Sequence, residues 1–583
     1  NCSITYFTLD PKETGGKVTP PVTLRGEQLR HEPHPTFLGV TLDDQLTFSA
    51  HIESLRSRMA KRRQCLQALA GKSYGAKRKT LRTAYISYVR AIFDYGAAVF
   101  HSHAAPTSRN LLEIEQHKCA RAITGCLRLT NSKALLTEAG LPSLSTRAKQ
   151  LTATEVSRFK RLPEDDPTRQ AFATAPTPKL VYRGRGTWLK TRADAARTGK
   201  PEPEPPDRDV AALSHKPCTR RVGEWMLKKT GISDAPVEPV IICSPTPPWE
   251  RHPNRTSFNL DLPEKTRRTD PPEKRRLAAQ RAIAALPTAD VTIWTDGSSK
   301  GSDAVGGGGA LLHINREQRT VEVTVPAGVA CSSTAAELAA ICAGLDAALA
   351  LPAETLQEHH HILLLTDSKT SLQRLSRGRW AQSSKRHLEV WDRLSRLSDQ
   401  GIHTTMQWVP GHAGIDGNEA ADALANLAAD STDQDTIPLD LMAARTAVSR
   451  VGRAWTKADS RRHPHPSPTP GLDSLTRRGQ VIISQLRVGR SPLTREILHR
   501  IGRAADPWCP NCGEPEVETT RHLLAECPAY ISARRSLWGG PLPTLASVLE
   551  GDAALVLEYL WRVGRTEPPV DAAAADPPAG GSA

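Results

Sequence analysis

Four acidic side chains carry the chemistry this sequence offers. Asp296 stands in Trp294-Thr295-Asp296-Gly297-Ser298, directly after an apolar run of strand length. Asp367 stands in Leu365-Thr366-Asp367-Ser368, directly after another. Glu337 lies one turn into an Ala/Leu-rich helical stretch, and Asp422 lies in Gly417-Asn418-Glu419-Ala420-Ala421-Asp422. Acids at the ends of adjacent strands are brought close together by the sheet. Carboxylates gathered in this way cannot all stay ionised without cations. Hard divalent ions with oxygen ligands, Mg²⁺ among them, answer that need. Two such ions about 3.5–4 Å apart can activate a water and stabilise the leaving oxygen of a phosphodiester. Each acid alone has a plainer reading. Asp367, followed by Ser368, could simply open a helix. The four in this order, on these elements, favour the metal reading.

A second constellation is Cys509-Pro510-Asn511-Cys512, then His522, then Cys527, with the spacing C-x2-C-x9-H-x4-C. Three thiolates and one imidazole suit a tetrahedral, structural Zn²⁺. The other eight of the eleven cysteines are dispersed, which fits a reducing compartment rather than a disulfide framework.

Hydrophobic patterning supplies the elements that must hold the acids. Val291–Thr295, Gly309–Ile314 and Thr320–Val325 read as strands, the first two joined through Gly306–Gly309. Thr334–Leu349 reads as a helix, with Thr334 a possible N-cap. His361–Thr366 reads as a buried strand, Leu388–Leu397 as a helix, Thr404–Val409 as a strand and Gly417–Ala429 as a helix. The expected fold of 288–430 is therefore α/β, with a five-stranded mixed sheet. His359-His360-His361 leads straight into a strand and reads as a loop feature.

The chain as a whole is multidomain. It has 583 residues, only 39% of them apolar, with 45 prolines and a formal charge of +15. Residues 1–160 read as a basic helical region. Residues 161–287 read as a Pro-rich charged linker with a short helix near Arg221–Lys229. Residues 440–566 read as a basic helical region carrying the Cys/His module, and 567–583 as a disordered tail. Residues 51–100 hold eleven Lys/Arg and two acids, whereas 288–430 hold seventeen Asp/Glu against eleven Lys/Arg. Such basic flanks point to a polyanion, nucleic acid ahead of a membrane. No apolar run reaches the length of a membrane span, and no signal peptide is evident, so secretion is not expected. The chain opens on Asn1, as a fragment would.

Residues 288–430 resemble a type 1 ribonuclease H domain. The matching strings are Thr295-Asp296-Gly297-Ser298, Ala336-Glu337-Leu338, Thr366-Asp367-Ser368 and Pro410-Gly411-His412-Ala413-Gly414 leading to Asn418-Glu419 and Asp422. The resemblance implies hydrolysis of the RNA strand of RNA–DNA hybrids, leaving a 5′-phosphate and a 3′-hydroxyl. It implies that Asp296, Glu337, Asp367 and Asp422 hold two Mg²⁺ or Mn²⁺ ions, and that His412 aids proton transfer and product release. It places Ser332, Ser333, Thr334 and Asn418 against the substrate. The long basic handle of many cellular members is reduced here to Arg377, Arg379, Trp380, Lys385 and Arg386.

The flanks narrow the resemblance. Phe37-Leu38-Gly39-Val40-Thr41-Leu42-Asp43, Tyr88-Val89-Arg90 and Asp94-Tyr95-Gly96 look like the stretch beyond the palm and the thumb helices of non-LTR (LINE-type) retrotransposon reverse transcriptases. The Cys/His module ending in Cys527-Pro528 looks like their carboxyl end. The Tyr-x-Asp-Asp hairpin of the polymerase does not occur, so no polymerase activity is expected of this chain. The resemblance implies an intracellular protein, with a nuclear role following from the family's life cycle, and partners in hybrid and element RNA. Oligomeric state is not legible. The alternative is a nucleic-acid-binding retroelement protein with a decayed nuclease.

Overall fold

A computed structural model describes residues 2–7, 21–173, 197, 219–240, 255–300, 305–352, 361–382, 384–431, 434, 437–513 and 515–568. The expected tail beyond 568 and much of the expected linker lie outside the described residues. The chain forms two compact units. One draws on 153–177 and 223–450, the other on 1–152, 178–222 and 451–583.

The acid-bearing unit runs β1 (Thr256–Asn259), α1 (Pro272–Ala284), β2 (Val291–Lys300), β3 (Val305–Ile314), β4 (Arg319–Gly328), α2 (Ser333–Leu349), β5 (His361–Thr366), α3 (Lys369–Leu375), α4 (Lys385–Asp399), β6 (His403–Trp408) and α5 (Asp416–Ala429). The strands form one sheet in the order β4-β3-β2-β5-β6-β1. The first three pair antiparallel, and β5, β6 and β1 extend the sheet in parallel. The sheet thus has six strands, not the expected five. The sixth, Thr-Ser-Phe-Asn, is too short and too polar to announce itself. Backbone pairing with β6 makes it a strand. Both β1 and α1 come from the stretch read as linker.

Period-two alternation sorts the core. Ile362 and Leu364 of β5 join Ile293, Leu312, Ile341, Leu345, Trp391 and Met406 on the face covered by α2 and α4. Leu363 and Leu365 face Ala279, Val409 and Ile415 on the other side. Gly306–Gly309, expected as a connection, lies within β3. A β-carbon on Gly307 would come within 2.3 Å of the Ala425 carbonyl of α5, and one on Gly308 within 2.7 Å of the Ala340 amide of α2. The glycines let a helix press on each face of the same strand, which extends pairing from Ile314 down to Val305.

In the other unit, the helices Ser49–Ala68 and Pro106–Thr124 pack around Leu55, Met59, Tyr85, Phe93, Phe100, Leu112 and Ile123. The two regions that the sequence reading kept apart, before 160 and after 440, largely share this unit. One reason is Glu138. Its buried carboxylate takes Arg78 Nη1 at 2.7 Å, His463 Nε2 at 3.0 Å and Arg487 Nε at 3.1 Å. Among the described residues no helix is long and apolar enough to cross a membrane.

Candidate active site and metal centres

Strand register brings the first two acids together. The parallel ladder of β2 and β5 ends at the pair Thr295 and Thr366, so Asp296 and Asp367 come next on neighbouring strands. Asp367 leaves its strand there. Asp296 does not, because β3 goes on pairing and sets Asp296 opposite Gly309. Glu337 arrives from α2, one turn in. The helix is started by Ser332, whose hydroxyl accepts from the Ala335 amide at 3.1 Å, and not by Thr334. Gly297 lets the helix close in, since a β-carbon there would lie 2.2 Å from the Glu337 amide nitrogen. Carboxylate oxygens of Asp296, Glu337 and Asp367 all lie within 4.8 Å of one another.

This crowding has an electrostatic cost. Burial, then the charges of Asp367, Asp422 and Glu419, push the Asp296 carboxyl up to about 7, although the Gly297 amide donates to its Oδ1 at 2.7 Å. Burial and the neighbouring Asp296 and Asp367 push Glu337 well above the usual carboxylate range. Burial also raises Asp367, with His412 opposing and Asp422 and Glu419 adding to the rise. Glu337 Oε2 is buried with no hydrogen-bond partner. A cluster that resists ionisation and leaves a buried acceptor unsatisfied fits divalent cations with oxygen ligands.

Asp422 stands outside the group of three, yet its charge is felt by all of them. Its Oδ2 accepts from Asn426 Nδ2 at 3.2 Å, and Asn426 Oδ1 accepts from Ser298 Oγ at 2.7 Å. Thus β2 and α5 are tied together through the fourth acid. Asn426 sits four residues after Asp422 on α5, and that helical spacing was the available signal for it. Glu419 is a fifth acid whose charge reaches Asp296 and Asp367, and its Oε1 accepts from the Gly414 amide at 3.3 Å.

His412 lies on the loop from β6 to α5 with φ near 50°. Its charge acts on Asp367, so the loop borders the acids. Arg275 of α1 holds that loop, donating to the Gly411 carbonyl at 3.0 Å and the His412 carbonyl at 3.1 Å. Nothing in the sequence near the motifs marked Arg275. Asp367 does not cap α3. That position belongs to Ser368, which makes no side-chain cap bond.

The four expected substrate contacts are spread over α2 and α5. Ser332 is engaged as a cap, Ser333 is exposed and Thr334 half-buried. Asn418 is 2% exposed, with a buried Oδ1 that has no hydrogen-bond partner.

The Cys/His residues also converge. Ligand atoms of Cys509, Cys512, His522 and Cys527 lie within 4.8 Å of one another. Cys509 and Cys527 sulfurs are 3.8 Å apart, and Cys512 Sγ lies 3.7 Å from His522 Nε2. A tetrahedron with Zn–S bonds of about 2.3 Å has S···S edges of about 3.8 Å, so the donor set fits zinc. A bridge between Trp508 and Val517 closes the Cys509–Cys512 turn, and the Cys527 amide donates to the His522 carbonyl at 2.8 Å. Burial raises Cys509 to about 12 and Cys527 above the usual thiol value.

The RNase H family profile matches residues 288–430. Ribonuclease H of Dichelobacter nodosus is 30% identical over 154 residues, which is 26% of this chain and 99% of that protein. The chain belongs to the ribonuclease H family. Ribonuclease H of Bartonella quintana is 35% identical over 150 residues, 24% of this chain and 88% of its own length. A third relative is a probable RNA-directed DNA polymerase from transposon BS of Drosophila melanogaster, 28% identical over 161 residues. The match spans 28% of this chain and 17% of the length of that relative. Among solved structures, ribonuclease H1 of Halobacterium salinarum is 27% identical, covering 24% of this chain and 97% of that one, with a TM-score of 0.19. The ribonuclease H domain gives the chain ribonuclease H activity and a hybrid as substrate.

Proposed function

We propose that this chain is a divalent-metal-dependent endonuclease for the RNA strand of RNA–DNA hybrids, working inside a retroelement protein. The observation that carries the reading is the triad of buried Asp296 and Glu337 with half-buried Asp367, with the Glu337 Oε2 acceptor unsatisfied. Asp296, Glu337, Asp367 and Asp422 would hold two Mg²⁺ or Mn²⁺ ions, which when bound supply activation of water and stabilisation of charge at phosphorus. The side chains fix where that happens. Asp296 and Glu337 are set by backbone contacts at Gly297, and Asp422 by Asn426 and Ser298. His412, on a loop clamped by Arg275, would hand on a proton near Asp367 and favour product departure. Ser332, Ser333, Thr334 and Asn418 would meet the minor groove, where the 2′-hydroxyl marks the RNA strand.

The transposon polymerase relative supports the retroelement context, as do the basic flanks, which would add grip by counterion release. The Cys509, Cys512, His522 and Cys527 set would hold a structural zinc, and the zinc module and thumb-like region would bind element RNA.

The test is cleavage of an end-labelled hybrid by the full chain, with Mg²⁺ and with chelator. Mg²⁺-dependent cleavage abolished by Asp367→Asn supports the reading. Binding without cleavage in any divalent metal would instead favour a decayed nuclease.

A further inference from the structure

A cleft of about 870 Å³ opens in the unit that lacks the acids. It lies along the helices Ser49–Ala68 and Pro106–Thr124 and the residues that follow each. Arg63, Lys72, Lys118, Arg121, Arg128 and Arg477 line it, and no Asp or Glu does. Glu115, just behind, neutralises part of this charge. Its 2%-exposed carboxylate takes Arg63 Nε at 3.1 Å and Lys118 Nζ at 2.5 Å.

The other four cations have no carboxylate partner among the described residues. Arg477 spends its donors on backbone, reaching the carbonyls of Ile123 at 2.6 Å, Ala122 at 2.7 Å and Gly71 at 3.1 Å. It thereby closes the carboxyl end of one helix and keeps its charge at the cleft wall. Arg121 leans on Arg128, donating to its carbonyl at 3.3 Å, while its own Nε is buried with no partner. Burial and the Arg128 charge both disfavour the charged form of Arg121. Packing unpaired cations together costs free energy that an incoming polyanion would recover.

The rim adds a second chemistry. Tyr74 is 67% exposed, and its ring lies against Gly71, where a β-carbon would come within 2.6 Å of it. An exposed ring beside a basic channel suits a base that is free to stack, and bases inside a duplex are not.

We infer that this cleft binds the phosphate backbone of a single-stranded nucleic acid, with one base stacked on Tyr74. The inference rests on the reading of the basic flanks as nucleic-acid-binding and gives that reading a place. It does not depend on hybrid cleavage.

The test uses the full chain and fluorescein-labelled twelve-nucleotide oligouridylate and oligothymidylate, with binding read by anisotropy at several salt concentrations. Lys72 and Arg128 are exposed, so the double change Lys72→Glu, Arg128→Glu leaves the core alone. It is expected to weaken binding at least about tenfold and to flatten the salt slope by about 2. Tyr74→Ala is expected to weaken binding about fivefold or more with the slope kept. Arg316→Glu, an exposed change on the other unit, is the control and should do neither. Affinity and slope within twofold of the parent in both cleft variants would overturn the inference, as would an equal loss from Arg316→Glu. Binding of either strand type supports it, and the RNA-to-DNA ratio reports contact with the 2′-hydroxyl. The maximal rate of hybrid cleavage should be unchanged in the cleft variants. A chain that binds as expected but never cleaves hybrid would keep this inference and refute the nuclease reading.

Discussion

Gly411 lies so close to Asp367 that a β-carbon built on it would fall 2.0 Å from Asp367 Oδ2. The contact explains why a glycine occupies the turn after β6. The loop that carries His412 and the carboxylate that ends β5 share one small space. Gly411→Ala must move one or the other. We expect hybrid-cleavage turnover to fall at least about tenfold with the fold retained, since displacements near 1 Å at a reacting centre are costly. Steady-state kinetics and circular dichroism together check this. Turnover within twofold of the parent would show that Asp367 does not need its observed position.

The acid cluster should make stability depend on pH and metal. Asp296 is pushed from its ordinary 3.8 up to about 7, and Glu337 is raised as well. A raised carboxyl binds more protons folded than unfolded. Its contribution is therefore fully present below about 3.8 and is lost as pH rises through about 7. In chelator, the melting temperature of the ribonuclease H domain should fall between pH 5 and pH 8. Mg²⁺ should raise it more at pH 8 than at pH 5. Calorimetry of the full chain at both values, with Asp296→Asn showing a flatter profile, is the check.

The zinc set predicts a separable loss. Cys512→Ser should lower bound zinc from about one per chain toward none, as measured by elemental analysis, and destabilise the hairpin of Trp508 and Val517. Hybrid cleavage at saturating substrate should persist, because the four acids lie in the other unit. Unchanged zinc content would remove Cys512 from the ligand set.

Much of the catalytic domain was legible in the sequence. Short apolar runs ending in Asp296 and Asp367 were enough to place both acids, because strand ends and sheet register turn sequence position into proximity. The convergence of Cys509, Cys512, His522 and Cys527 was legible because their spacing is itself the signal. Three things were not. The Thr256–Asn259 strand has no hydrophobic period of its own and exists by pairing with β6. Gly306–Gly309 looked like a turn, since glycine usually interrupts a strand. Here the demand for close helix contact on both faces outweighs that tendency. Arg275 clamps the His412 loop from 137 positions away in the chain, a relation no local pattern encodes.

The same long-range logic applies to Glu138. The Arg78 and Arg487 charges and a hydrogen bond with His463 hold its fully buried carboxyl down at about 2 although burial alone would raise it. A depressed carboxyl contributes stability above its ordinary 4.5 that is lost as pH falls through about 2. At pH 7, Glu138→Gln leaves the Arg78 and Arg487 guanidiniums without their anion and should cost about 3 kcal/mol or more. Denaturant unfolding of the parent and the variant measures this. A loss below about 1 kcal/mol would show that the cluster does not hold residues 1–152 and 451–583 together.

The most direct measurement is turnover of an RNA–DNA hybrid by the full chain in Mg²⁺, parent against Asp296→Asn. The acid cluster predicts RNA-strand cleavage by the parent and at least about a hundredfold lower turnover in a variant that melts no earlier. Equal turnover in the two proteins would contradict the assignment of Asp296 and, with it, the site.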